Sequence, residues 1–584
     1  MAGLVGLVLL VFGVGFLSTE ANTDAFHKIC NDLFVHIISS DSITLNYNLA
    51  NPEKYSIYDY APTLGDLSPG AAAPENAFYE NIVTALSMID KDSLSGDDRF
   101  TYDILTDTFS LYNKMSRYAY YNEPFSPVSG IQAQLPVLLC EYHFYTIDDV
   151  DDYLALLECV PDYFRQLIEY EKERKKKGFG MSVAQTDVII RQCLDFINKP
   201  AHNILIETFA GRLAAIDGYD GARDDELINK NRALVLNCII PSYSYLINEL
   251  DSLKDSSYKT VSVCSVTDEG KDYYALLLRM TTGSGKTPAE AYALVNDWLE
   301  SCKKGTAECL TTTFSSGEIT ANEKSDINNA LFIPDKKTKN QDPAEILTCL
   351  KAAISSDFPA LPSDTDIDIK YVHPSLENTL SPAMYMSPPI DISSDDCIYI
   401  NRALCDDDSI FTTLAHEGYP GHLYQTRYFM STDPAPIRQV LNFGGYIEGW
   451  ATYVELLSCD YMGMERSYCE AAKCNKLAIL CIYSLIDIGI HYYGWTETDC
   501  IKLLYENGIR DPEAGKEMYL TVVSEPALYT KYTLGCLEFL ELRKIAEERY
   551  GGSFSLSDFH EKILKCGPCP FYILSSIFEN VSKF

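Results

Sequence analysis

Basic charge is what this sequence has least of for its size. Of 584 residues, 47 are lysine or arginine against 83 aspartate or glutamate, a net charge of −36. Nucleic-acid binding needs a basic footprint, so the composition argues against that class and favours a soluble, self-repelling surface. No internal repeat and no low-complexity tract punctuates the chain. No lysine or arginine precedes the apolar run Ala2–Ser18, and Thr19-Glu20-Ala21 makes a poor cleavage site. The run nevertheless has the size of a signal-peptide core, at or below the length of a spanning helix. Residues 1–21 are therefore read as a signal peptide or N-terminal anchor, and the protein as extracytoplasmic, either secreted or tethered to a membrane through this segment. The first cysteine is Cys30, which argues against a lipid-anchored start. Histidine is scarce as well, nine in all, and two of the nine stand six residues apart at His416 and His422.

What the chain does have is helical text. Nineteen cysteines are scattered without a short spacing pattern; the number is odd, so at least one is unpaired within the chain, and most are read as small buried apolar residues. Nothing in the sequence fixes an oligomeric state. Ala25–Ile38 and Phe78–Tyr112 carry helical spacing, while Gly65–Glu75 and Tyr118–Pro136 are expected to be loops. From Val150 through Leu154 and Leu157 to Phe164, Leu167 and Ile168 the apolar residues predict two helices joined near Pro161. Thr287-Pro288-Ala289-Glu290 is a helix start, with Thr as N-cap, Pro at the first position and Glu closing the capping box. Between Asp366 and Asn401 the pattern turns β-like, predicting a small sheet with a proline-bearing edge just ahead of the histidines. The expectation is a mainly α fold with a small β-sheet: one large two-lobed helical unit over 22–584, with polar stretches near 315–342 as the lobe boundary.

Thr412–His422 concentrates the chemistry. In H-E-x-x-H helices both imidazoles face one way as zinc ligands and the glutamate is the general base. Here the histidines are six apart, and on a regular helix six residues leave the rings about 120° apart. Pro420-Gly421 between them can break the helix, because proline removes a ladder hydrogen bond and glycine permits unusual backbone angles. Downstream, Glu448 and Glu455 lie seven apart on one helical face. His416, His422 and Glu448 would make the ligand set of a catalytic Zn²⁺ site with a fourth position for water. Glu417 would take that water's proton, and Glu455 could orient a ligand histidine. The competing reading is of ordinary polar residues near a helix break.

The pattern His416–His422 resembles the H-E-x-x-P-G-H hallmark of a large bacterial domain-of-unknown-function family grouped with the zincin peptidases. Gly130–Pro136, Tyr273-Tyr274 with Thr282–Pro288, Ser381–Pro389, Glu448–Ala451 and the tail around Pro526–Arg543 are similar in order, over nearly the full length. The resemblance implies a zincin-like helical metallopeptidase fold with a deep central cleft, His416, His422 and Glu448 as ligands, Glu417 as base, and a peptide as substrate. His491, in the apolar stretch Asp487–Trp495, and Tyr532 are candidates for steadying the oxyanion, with Tyr529 a weaker one. Around Tyr532 only Pro526, Tyr532 and Gly535 match the family's segment, and Thr530 and Lys531 replace its leucine and serine. Arg438, Arg510 and Arg543 are candidates for holding a substrate carboxylate.

Two motifs are set aside. Gly283–Thr287 resembles half a phosphate loop, but Met280 stands where its first glycine belongs. Cys566-Gly-Pro-Cys569 matches a redox dithiol, a chemistry that wants a strand before it and a helix after it that depresses the first thiol's pKa; here Lys565 precedes the motif and Pro570 follows it, beyond the family-like tail. The expected function is a zinc-dependent peptidase, carboxypeptidase or oligopeptidase-like. The rivals are a non-catalytic peptide-binding protein with a structural or vestigial metal site, and a zinc hydrolase of non-peptide amides or esters.

Overall fold

Helix Ile147–Lys176 shows how the sequence builds this molecule. Thr146 and Asp149 close a capping box at its start, and Arg174, Lys175 and Lys176 lie in its last turn, where cations complement the helix dipole. Val150, Leu154, Leu157, Phe164, Leu167 and Ile168 fall on one face at helical spacing and all are fully buried. Each such side chain contributes about 1.5–3 kcal/mol relative to staying exposed. The two helices expected to meet near Pro161 are thus one helix of 30 residues. Proline removes a single ladder bond there, and the packing of Leu157, Val160 and Phe164 around it outweighs the loss. The loop expected over Tyr118–Pro136 is overturned in part as well. Helix Ile131–Cys140 contains Pro136, and both Leu135 and Pro136 are buried.

The computed structural model describes residues 19–316 and 342–579, apart from 59, 69, 364, 365, 375, 378, 379, 393–395 and 406–408. The expected leader 1–21, apart from Thr19–Ala21 at the start of helix Thr19–Ile38, and nearly all of the expected boundary at 315–342 lie outside the described residues. Two compact units are present. One comprises the chain to Thr260 with Pro389–Ser393 and Ala435–Val440; the other comprises Val261–Pro388, Ser394–Pro434 and the chain from Leu441. Along the chain the first division between the units falls at Thr260–Val261.

The first unit is helical. Its core is aromatic: Tyr153 packs against Phe144 and Phe209, and Phe164 meets Tyr243 edge-on with ring centroids 5.1 Å apart. The second unit is helical with one three-stranded sheet, and the mainly α expectation holds. Strands β1 (Ile367–Tyr371), β2 (Ala383–Met386) and β3 (Asp396–Ile400) lie in the order β1-β3-β2, β1 parallel and β2 antiparallel to β3. β2 is an edge flanked by Pro382 and Pro388, the proline-bearing edge the sequence predicts.

Six helices of this unit matter for the site: α1 (Gly270–Thr282), α2 (Ile410–Glu417), α3 (His422–Met430), α4 (Gly444–Ser458), α5 (Arg466–His491) and α6 (Thr530–Tyr550). Helix Pro288–Ser316 begins where the capping box places it, Thr287 N–H donating to Glu290 Oε2 over 2.8 Å. Helix α5 is long and apolar enough to cross a membrane, but 61% of its apolar window is buried inside the protein, as a core helix would be. All nineteen cysteines carry free thiols, most of them fully or largely buried.

Candidate metal centre

Helix α2 stops at Glu417, and α3 starts at His422. The four residues between form a tight loop with a cis Tyr419–Pro420 peptide. Both glycines are sterically required. A Cβ on Gly421 would lie 1.7 Å from the His416 carbonyl oxygen, and one on Gly418 2.5 Å from Leu347 Cδ2. The loop is fastened from outside by Trp450, whose indole N–H donates to the Pro420 carbonyl over 2.9 Å. The outcome is the break the sequence called for. His416 ends one helix and His422 begins the next, so their rings lie 4.8 Å apart and nearly perpendicular, at 84°.

Helix α4 supplies the carboxylates. Glu448 Oε2 stands 3.6 Å from His416 Nε2 and 3.4 Å from His422 Nε2. A direct N–H···O bond favours about 2.9 Å, whereas the edges of a tetrahedron with bonds of about 2.0–2.1 Å are about 3.3–3.4 Å long. The separations thus suit donors around a shared ion better than donors bonded to each other. One ligand atom from each of His416, Glu417 and His422 also falls within 4.8 Å of the others. Two imidazole nitrogens and a carboxylate oxygen are the donor types zinc takes, so the residues fit the ion.

Glu455, two turns along α4, receives the other face of the first imidazole: His416 Nδ1 is 3.2 Å from its Oε2. Lys476 of α5 pairs with Glu455 Oε1 at 2.7 Å. Lys531 of α6 pairs with Glu448 Oε1 at 3.2 Å. These contacts set the electrostatics. Burial alone would lower the His416 pKa, but the neighbouring carboxylates of Glu448 and Glu455 carry it to about 10. Burial opposes ionisation of Glu448, yet the two histidines and Lys531 hold it well below the usual carboxylate range. Glu455 is brought to about 2, its burial outweighed by Lys476 and His416.

Glu417 Oε2 accepts the backbone N–H of Tyr385 in β2 at 2.8 Å. That strand is itself anchored. The Tyr385 hydroxyl donates to the fully buried Asp396 of β3, and Arg427 of α3 grips Asp396 with Nε at 2.8 and 2.9 Å. Tyr532 is brought to the cluster. Burial, then the Glu448 carboxylate, pushes its phenol pKa well up, so it stays protonated and can donate.

His491 is not brought there. It is fully buried, its Nε2 lies 3.0 Å from the Val522 carbonyl oxygen, and its ring stacks on Tyr274. Burial takes its pKa down to about 4. As an oxyanion donor it is superseded by this local packing. Tyr529 packs on Tyr483. Arg543 pairs with Glu547, Arg510 lies over Tyr505, and Arg438 belongs to the first unit. The cations at the centre are lysines instead. Nothing local in the sequence ties Lys476 to a glutamate 21 residues earlier, and Lys531 shows there only as a mismatch to the family's segment. The set-aside motifs have structural uses: Gly283 caps α1 in a left-handed conformation, Lys286 pairs with Glu538 and Glu541, and Cys566 ends a helix.

A family described as "Bacterial protein of unknown function (DUF885)" matches residues 53–577. No curated protein matches the chain in sequence. A solved structure of a candidate lipoprotein from Colwellia psychrerythraea is similar, with a TM-score of 0.79 and 18% identity over 96% of this chain and 99% of that one. Another candidate lipoprotein, of unknown function, from Shewanella oneidensis gives 0.65 and 16% over 97% and 100%. At these identities the likeness is one of fold.

Proposed function

The chain belongs to this bacterial family of unknown function, and from that premise and the geometry of the centre we propose that it is a zinc-dependent hydrolase of peptide bonds. The observation that carries the reading is the approach of His416 Nε2 and His422 Nε2 to a single oxygen of Glu448, with Glu417 beside them. His416, His422 and Glu448 would hold the ion. When bound, it supplies a Lewis acid that polarises the scissile carbonyl and acidifies water.

The remaining work falls to the chain. Glu417 Oε2 is held by the Tyr385 N–H, which leaves Oε1 to take a proton from water as the water oxygen bonds to the carbonyl carbon. The Tyr532 hydroxyl donates to the carbonyl oxygen as it gains charge. Glu417 then delivers the proton to the amide nitrogen, the C–N bond breaks, and a carboxylic acid and an amine leave. His416, His422 and Glu448 keep side-chain exposures of 15, 14 and 18%, enough for water to reach the cluster. A location outside the cytoplasm, suggested by the apolar leader, agrees with the lipoprotein descriptions of the two structural relatives.

Metal analysis together with a mixed peptide library read by mass spectrometry tests the reading. One equivalent of zinc and a defined set of cleavage products are expected. Glu417→Gln should keep the zinc and lose about 10³-fold or more in turnover; full activity in that variant would overturn the mechanism.

A further inference from the structure

We propose that Lys531 is a positioning residue that restricts Glu448 to ligation through one oxygen and thereby keeps a coordination position open at the centre. The inference rests on the metal reading above and adds the device that would make the site catalytic rather than closed. The two oxygens of Glu448 face different partners: Oε2 the histidine nitrogens at 3.4 and 3.6 Å, Oε1 the Lys531 ammonium at 3.2 Å. Glu455 on the same helix face is divided in the same way, Oε2 toward His416 Nδ1 and Oε1 toward Lys476 Nζ. Each glutamate thus turns one oxygen to a histidine and the other to a lysine.

Lys531 is held in place by the crossing of α4 and α6. A Cβ on Gly449 would lie 2.5 Å from Gly535 Cα, and one on Gly535 2.0 Å from the Gly445 carbonyl oxygen, so the two backbones touch. Lys531 sits one turn before Gly535. Its aliphatic stem passes over Gly444, where an added Cβ would meet Lys531 Cδ at 3.3 Å, and its ammonium stands 5.0 Å from the centre of the Tyr532 ring. The side chain is only 20% exposed.

The consequence is one of coordination number. Two histidines and a carboxylate binding through both oxygens would fill four positions. With one oxygen committed to an ammonium, three protein donors remain and the fourth position is left for water or substrate, the condition for zinc catalysis. Lys531 also places a like charge beside the ion, which weakens its binding.

The test uses the full chain with Zn²⁺. Affinity is measured by competition with a chromophoric chelator and the ligand shell by X-ray absorption, for wild type, Lys531→Met, Lys531→Gln and Lys531→Arg. In the wild type, Glu448 should contribute one oxygen. Both neutral variants should bind zinc roughly five- to tenfold more tightly and gain a second carboxylate oxygen in the shell, while Lys531→Arg stays close to wild type. Either neutral variant, folded by thermal melt and showing unchanged affinity with an unchanged shell, overturns the role given to Lys531. Failure of the underlying reading looks different: the wild type would show no specific zinc binding, or His416→Ala and His422→Ala would bind zinc as tightly as the wild type.

Discussion

Helix α4 has two faces that meet opposite environments. At about 100° per residue, Tyr446, Trp450 and Tyr453 fall within one arc, and Glu448 and Glu455 lie on the far side. On the aromatic face the shortest hydrogen bonds go to neutral partners, and the cation that reaches it, Arg543, stands at 3.5 Å from the Tyr453 hydroxyl. Trp450 donates to Pro420, Tyr446 to the Ile563 carbonyl, and Tyr453 to His560, whose other nitrogen lies 2.7 Å from the Asp357 carbonyl oxygen. On the other face the partners are ionic. Two histidines measure the contrast. Burial takes His560 down to about 3; His416, only 15% exposed, rises to about 10 because its two nitrogens face carboxylates. Desolvation has the same sign in both, and neighbouring charge decides the outcome. The titratable groups are concentrated on the ionic face, and the aromatic face fixes where they stand.

The comparison is broken most severely by Trp450→Ala, which removes the largest side chain of the aromatic face and the bond that holds Pro420. A loss of about 3–5 kcal/mol in denaturant unfolding is expected, together with weaker zinc binding as the loop between His416 and His422 loosens. A variant that loses stability yet binds zinc normally would show that the two faces are independent.

Acting on the ionic face alone, Glu455→Gln should leave the fold intact and cost about 10- to 100-fold in zinc affinity, since a carboxylate behind a ligand histidine sets its orientation and basicity. Chelator competition reads the change. An unaltered affinity would reduce the Glu455–His416 contact to packing.

The smallest expected effect is a pH dependence from the apolar surroundings. His560 and His491 stay neutral in the folded protein down to about 3 and about 4, while unfolded histidine takes up a proton near pH 6.5. The unfolded chain therefore binds more protons below that value, and each residue withdraws stability as pH falls from about 6.5 toward its folded pKa. Asp487, raised to about 7 by burial, works in the opposite sense between about 4 and 7. His560→Asn should flatten the acid limb of the stability curve; an unchanged slope would mean that His560 titrates normally.

Much of the centre was legible before the structure. His416, Glu417, His422 and Glu448 were identifiable because the residue types are chemically narrow and Pro420-Gly421 announced a break. Pro161 misled because a proline's local cost was visible and the burial around it was not. His491 stays open in the sequence because a histidine in apolar text reads the same whether it faces a reaction or a backbone carbonyl. The lysines were missed because ion pairs between helices leave no periodic trace.

By itself, then, the sequence determined what repeats along the chain or is written in a few neighbouring residues: helical faces, capping boxes, the β-like stretch, and the glycine and proline that interrupt the histidine helix. Those follow from local sterics and from periods of 3.6 and 2. The tertiary structure alone decided which oxygen of each glutamate meets a histidine and which meets a lysine. That assignment depends on α4 and α6 crossing at touching glycines, and charges on separate helices interact through distance in space rather than position in the chain.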